Sequence, residues 1–152
     1  MEAQNYYVIN SKGCRRQRTS CRHDTYHASK YRFCRACDGC MRNCGTCILR
    51  DDMANILNLY QKADVFVLAT PVYFYGISAQ IKTFIDRTYP IWQHLGKKDV
   101  YYIIFAELGK DIAEKSFGDL DGFVEYLEEY EIKGRLYAIN VMDTGLVKDQ
   151  DI

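Results

Sequence analysis

Apolar residues along this chain follow two rhythms. Val65 to Ala69 and Val100 to Phe105 are continuous apolar runs, the type expected of strands covered on both faces of a parallel sheet. Tyr6 to Asn10 is a shorter β-branched and aromatic run bounded by polar residues, and Leu136 to Val141 reads as a last strand. Between these runs the period lengthens. Met53, Ile56, Leu57 and Tyr60 make one stripe behind the acidic pair Asp51-Asp52, which suits an N-cap and first helical turn. Ser78 caps a second helix whose inward stripe is Ile81, Phe84, Ile85 and Tyr89. Asp119 opens a third, with Leu120, Phe123, Val124, Leu127 and Tyr130 inward and Lys133-Gly134 ending it. His27 to Phe33 is a weak candidate edge strand, and Pro71 to Ile77 a turn-rich loop. Strands alternating with helices predict βαβ units. The expected fold is α/β, one domain over residues 1–152, with a parallel sheet and helices on both faces.

Composition narrows the function. The chain has 152 residues, 48% of them hydrophobic, so a packed core is expected and disorder is not. No apolar run approaches the ~18 residues of a membrane span. Met1 to Asn5 lacks the basic region and apolar core of an export signal, so a soluble, cytoplasmic protein without a membrane partner is expected. The formal net charge of +0 hides an asymmetry. Residues 12–50 hold ten Lys/Arg against two Asp, whereas residues 51–152 hold ten against seventeen acids. A basic front segment suits an anionic ligand: a phosphate, an anionic metal cluster or nucleic acid. Nucleic acid is the weakest of these, because the chain has no helix-turn-helix pattern and no aromatic-rich RNA motif.

In an open parallel sheet, ligands bind at the carboxyl ends of the strands. Three loops are expected there: Ser11 to Thr19, Thr70 to Ser78 and Ala106 to Ser116. Ser11, Arg15 and Thr19 bring hydroxyl and guanidinium groups that suit a phosphate, although such residues are equally common in plain surface turns. The second loop places Tyr73, Phe74 and Tyr75 directly after a buried strand. Three consecutive aromatics there suit a flat apolar ligand such as a flavin ring, with Gly76 allowing close backbone approach. A dimer interface or core packing would use the same residues.

Cysteine is the strongest compositional signal. Of seven, five fall within residues 34–47. An odd count without an export signal argues against a disulfide scaffold. Cys34, Cys37 and Cys40 stand at three-residue steps, and Cys44 and Cys47 follow. Closely spaced thiolates of this kind commonly wrap an iron–sulfur cube, and Arg32, Arg35 and Arg42 would offset its charge. Zinc and a redox-active thiol pair are the alternatives. Cys14 and Cys21 read as free thiols, and His23, His27 and His94 are too scattered to suggest ligation.

Residues Ala69 to Arg87, which include Thr70-Pro71-Val72-Tyr73-Phe74-Tyr75-Gly76 and Asp86-Arg87, resemble the flavin loop and following helix of the NAD(P)H-dependent FMN reductases. The likeness continues through Cys47 to Met53, and one branch of that family is the iron–sulfur flavoproteins. The resemblance implies a flavodoxin-like three-layer sandwich, with four or five parallel strands in the order 2-1-3-4-5. It implies FMN, with Pro71, Val72, Tyr73, Phe74 and Gly76 lining the isoalloxazine. Ser11 and Thr19 are the nearest matches to the family's phosphate-binding Ser and Thr, and Arg15 to its phosphate-loop Arg. Cys34-x2-Cys37-x2-Cys40-x6-Cys47 is similar to the iron–sulfur flavoprotein motif for a 4Fe-4S cluster, with Cys44 as the alternative fourth ligand. By the same resemblance, NAD(P)H or an electron carrier protein would deliver electrons, and a quinone, free flavin or other small acceptor would take them. A homodimer or tetramer is implied, with Trp92 and the aromatic loop as contacts. Asp86-Arg87 reads as a structural pair at a helix end. The sequence departs from the family over residues 11–19, where the phosphate-loop spacing differs, and in a shortened first helix and second strand. An alternative function is therefore a non-catalytic metal-binding or interaction module that has lost FMN.

Overall fold

The computed structural model describes residues 7–10, 29–107 and 109–139. Its sheet contains β1 (Tyr7–Asn10), β2 (Val65–Tyr73), β4 (Lys98–Ala106) and β5 (Tyr130–Ile139), in that spatial order. A short strand, β3 (Gly76–Ile77), pairs antiparallel with the end of β2. The helices are α1 (Gly39–Arg42), α2 (Met53–Lys62), α3 (Ala79–Arg87) and α4 (Lys110–Val124), with a 3-10 turn over Tyr89–His94. β2, β4 and β5 run parallel, joined by crossovers that carry α3 and α4. This is the predicted α/β class, and the order β1-β2-β4-β5 differs slightly from the expected 2-1-3-4-5, with no strand described outside β1.

The core lies between the sheet and the helices. Phe66 and Leu68 of β2 and Tyr102 and Ile104 of β4 are fully buried against α2, α3 and α4. Tyr60, Phe66 and Phe84 meet at tilted to edge-on angles with centroids 4.4 to 5.7 Å apart, tying α2 and α3 to β2. Phe123 of α4 meets Phe84 edge-on. α2, α3 and α4 thus pack on one sheet face, whereas helices were expected on both; among the described residues none of these three covers the second face. The other face carries Val65, Val67, Tyr101, Ile103 and Leu136, which are half-buried to exposed.

Several details depart from the pattern. β1 runs antiparallel to β2, with Asn10 opposite Val65, so the sheet is mostly rather than wholly parallel. An antiparallel edge strand on a parallel sheet is common, because an edge strand has one neighbour to satisfy. The candidate edge strand over 27–33 is irregular in its described part. Its backbone donors go elsewhere: Lys30 N–H to Asp52 at 2.7 Å and Arg32 N–H to Asp51 at 3.1 Å. α3 stops at Arg87, short of Tyr89, because Pro90 disfavours helical backbone in the residue before it. α4 starts nine residues before Asp119 and ends at Val124. Its first turns are buried through Ala113, Ser116 and Phe117, and small residues carry no apolar periodicity to read. Tyr130 and Gly134 belong to β5, not to a helix and its cap. Gly134 faces Tyr101 beside the irregularity between β4 and β5; a Cβ there would lie 3.1 Å from the tyrosine ring.

Candidate functional site

The loop expected after β2 is a tight hairpin. Tyr73 pairs with Gly76, leaving Phe74 and Tyr75 as a two-residue turn. Both have positive φ, 49° and 67°, as a type I′ turn requires. Buried Thr70 braces the hairpin: its hydroxyl donates to the Pro71 carbonyl at 2.8 Å and accepts from Ser78 N–H at 3.0 Å. Ser78 then caps α3 by accepting from Ile81 N–H. Of the predicted flavin contacts, Pro71 is buried, Val72 and Gly76 are half-buried, and Tyr73 is exposed; Phe74 is fully exposed. The rings stand clear of the sheet crest instead of filling it. The predicted phosphate residues Ser11, Arg15 and Thr19 lie outside the described residues. The direction of β1 still matters for them. Asn10 sits opposite Val65, so β1 ends at the sheet edge away from the 73–76 hairpin, whereas a parallel β1 was expected to end at the same edge.

The cysteine segment is a chain of turns around α1. Ala36, Asp38, Cys44 and Gly45 all have positive φ. Arg42 donates to the Cys37 carbonyl at 2.7 Å, and the Asn43 amide to the Thr46 carbonyl at 3.0 Å. Gly39 is buried because a Cβ there would strike Ile48 at 2.9 Å, so the turn closes on Ile48. Cys34, Cys37, Cys40 and Cys47 all line one cavity of about 970 Å³, and Cys44 does not. All five are free thiols. Burial pushes the Cys40 thiol up, and the neighbouring charges of Cys47 and Cys34 push it the same way, which puts these three sulfurs within electrostatic reach of one another. Among the described residues no three His, Cys, Asp or Glu side chains converge closely enough for a single metal ion. A zinc ion needs sulfurs about 2.3 Å from one point. The four lining cysteines are thiolate donors, the ligand type that iron–sulfur clusters use.

The acidic pair does more than open a helix. Asp51 accepts from Met53 N–H at 3.2 Å, as an N-terminal carboxylate does, but its main partner is Arg87 at the end of α3. Two parallel bonds of 2.9 Å join the guanidinium to the carboxylate, and Arg87 also donates to the Arg32 carbonyl. Arg87 is 2% exposed and the Asp51 side chain 7%, so this pair is sealed from water. Burial pushes the Asp51 carboxyl up, yet the Arg87 and Arg32 hydrogen bonds, with the Arg87 charge, hold it below the usual range. The pair thereby clamps the start of the cysteine segment and its end onto α3. Sequence reasoning found both residues but not their partnership.

The wall facing the cysteines comes from β3, α3 and α4. Ile77, Ile85 and Phe123 are apolar wall residues, and Lys82 and Asp86 form an ion pair at the rim. Trp92 and Tyr126 meet edge-on at 6.2 Å on one side. Gly76 is part of the same wall, so the cavity runs from the cysteine segment to the crest hairpin.

With this geometry in view, comparison with known proteins is informative. The sequence profile of the NADPH-dependent FMN reductases matches residues 21–106. The chain belongs to this family. An iron–sulfur flavoprotein of Archaeoglobus fulgidus is 36% identical over 86 residues, which cover 55% of this chain and 39% of that protein. One from Methanocaldococcus jannaschii is 41% identical over 58 residues, covering 38% of this chain and 30% of the relative. The match thus spans less than half the length of either relative. Among solved structures, a Trp repressor binding protein of Bacillus subtilis superposes with a TM-score of 0.56 at 20% identity, over 66% of each chain, and supports the fold. Among the described residues of this family member, no helix is long and apolar enough to cross a membrane.

Sequence reasoning missed the residues opposite the cysteines, Ile85, Phe123 and Tyr126 above all. The signal was present for Phe123, read as a core position, but apolar periodicity does not separate a core wall from a cavity wall.

Proposed function

We propose that this protein is an FMN-dependent oxidoreductase, with FMN at the crest hairpin and a 4Fe-4S cluster on Cys34, Cys37, Cys40 and Cys47. Electrons enter from NAD(P)H or an electron carrier protein and leave to a small acceptor such as a quinone or free flavin, in the cytoplasm. One observation carries the reading: the four cysteines share a cavity whose lining includes Gly76 of the flavin-loop hairpin. When bound, FMN would supply hydride and single-electron chemistry. The chain's own residues position and shield. Thr70 and Ser78 fix the hairpin, Gly76 offers backbone without a side chain, and Tyr73 and Phe74 offer ring faces. The fully exposed Phe74, with Trp92, is also the proposed contact in a homodimer or tetramer.

The test is an absorption spectrum of protein purified and reconstituted without oxygen, with iron counted and FMN titrated. Flavin bands on a broad thiolate-to-iron shoulder are expected. Colourless protein that takes up neither FMN nor iron would refute the assignment.

A second reading, a metal-binding or interaction module without FMN, has its own support in the direction of β1. That strand ends with Asn10 opposite Val65, at the end of β2 away from the hairpin, where the family resemblance does not put a phosphate site. Iron uptake without FMN binding would select it.

A further inference from the structure

The buried ion pair behind the cysteine segment has one side left over. Asp51 and the Arg32 carbonyl occupy both terminal nitrogens of Arg87. Its Nε–H is buried and meets no acceptor in hydrogen-bonding geometry. The guanidinium forms part of the wall of the cavity that holds the four cysteines. Cys47 lines the same cavity as Arg87, so the guanidinium and this thiol share one wall-bounded space. The other cations of the segment, Arg32, Arg35 and Arg42, are exposed, and water and salt screen them. Arg87 is therefore the one cation among these four whose field reaches the cavity through protein rather than solvent, where it is strongest.

We propose that Arg87 is the positioning residue of the cysteine site: held rigid by Asp51, it sets a buried positive charge against the Cys47 sulfur and raises the reduction potential of a cluster bound there. The inference rests on the cluster reading above. Its physical basis is that reduction adds one negative charge, and a fixed cation beside a ligating sulfur stabilises that charge. Asp51 supplies rigidity, because the fork engages the outer nitrogens and leaves Nε alone without a partner.

The test uses the full chain reconstituted anaerobically with ferrous iron and sulfide, reading iron per chain and midpoint potential by spectroelectrochemical titration. Arg87→Gln is expected to keep its iron and to lower the reduced-to-oxidised ratio about tenfold at the wild-type midpoint, which is about 59 mV for a one-electron couple. Arg87→Lys keeps the charge and is expected to restore most of that loss. Asp51→Asn leaves the cation uncompensated and is expected to move the ratio the opposite way. A merely structural clamp would not produce shifts of opposite sign. Arg87→Gln with full iron and an unmoved potential overturns the proposal alone. Should that variant fail to fold, an unmoved potential in Asp51→Asn overturns it. Wild-type protein that takes up no cluster overturns both this inference and the reading beneath it.

Discussion

The hairpin between β2 and β3 puts two bulky aromatics where the backbone favours none. Phe74 and Tyr75 have φ of 49° and 67°. A residue with a Cβ in that region costs about 1–2 kcal/mol, and Asn-Gly is the pair that relieves it in a type I′ turn. Replacing both residues, Phe74→Asn with Tyr75→Gly, should therefore release about 2–4 kcal/mol of strain. Two losses oppose the gain. Glycine leaves the unfolded chain more freedom, which costs about 0.5–1 kcal/mol. The Lys115 ammonium sits 5.4 Å from the Tyr75 ring centroid, and an exposed contact of that kind contributes about 0.5–1 kcal/mol. Phe74 gives up nothing in burial, since it is fully exposed. The net expectation is a stabilisation of about 1–2 kcal/mol.

Urea unfolding checks this directly: the midpoint should rise while the slope stays constant. The same protein titrated with FMN should bind it at least tenfold more weakly, about 1.4 kcal/mol, if strain at this turn serves to present the rings to a ligand. The two readouts fail separately. A stability that falls or stays level refutes the strain. An unchanged FMN affinity removes Phe74 and Tyr75 from the binding surface whatever the stability does.

Three further outcomes are expected. Asp51→Asn breaks a buried two-bond ion pair and should cost about 3–5 kcal/mol at neutral pH. Because the folded carboxyl sits below its usual range, the wild type should hold this contribution above the unfolded value of 3.8 and lose it as pH falls through the lower folded value; urea midpoints of the two proteins should converge there, and a constant gap would contradict the linkage. Phe84→Ala removes the ring shared by Tyr60, Phe66 and Phe123 and should cost about 3–5 kcal/mol, with a loss under 1 showing that the cluster closes over the gap. Lys98 is buried and donates to the carbonyls of Gln61 and Ala63, at the C-terminal end of α2; Lys98→Met should cost about 1–3 kcal/mol in thermal or urea unfolding, and a neutral result would mean that the burial pushing its ammonium pKa down cancels the two bonds.

What could be read from the sequence was whatever has a period. The stripe Met53, Ile56, Leu57 and Tyr60 is buried as expected, and so are Ile81 and Phe84. The runs at 65–69 and 100–105 are parallel neighbours in the sheet. Direction and sidedness have no period. The four residues of β1 carry nothing that says which way they lie, and the sheet face opposite α2, α3 and α4 is as apolar as the buried one at Val65, Val67 and Ile103. Strain is equally silent. Tyr73 to Tyr75 has strong strand propensity, yet the chain turns there because Thr70 and Ser78 lock the hairpin across eight residues.

The candidate site shows the same division at closer range. Spacing pointed to the cysteine cluster, and the family resemblance singled out Cys34, Cys37, Cys40 and Cys47, the four that line the cavity, with Cys44 as the alternative fourth ligand. What holds them there was invisible, because each half of the clamp has a sufficient local explanation. An acid ahead of an apolar stripe is an N-cap, and an arginine at the last turn of a helix complements the dipole. Asp51 does bind Met53 N–H, so the local reading is correct and incomplete. The carboxylate has acceptor sites to spare, and Arg87, 36 residues on, takes them in a geometry that a lysine could not reproduce. A lysine at position 87 would keep the charge but lose one of two bonds to Asp51. Two charged residues that each look explained, in a fold that buries both, are thus where a pairing should be sought before either is assigned to a helix end.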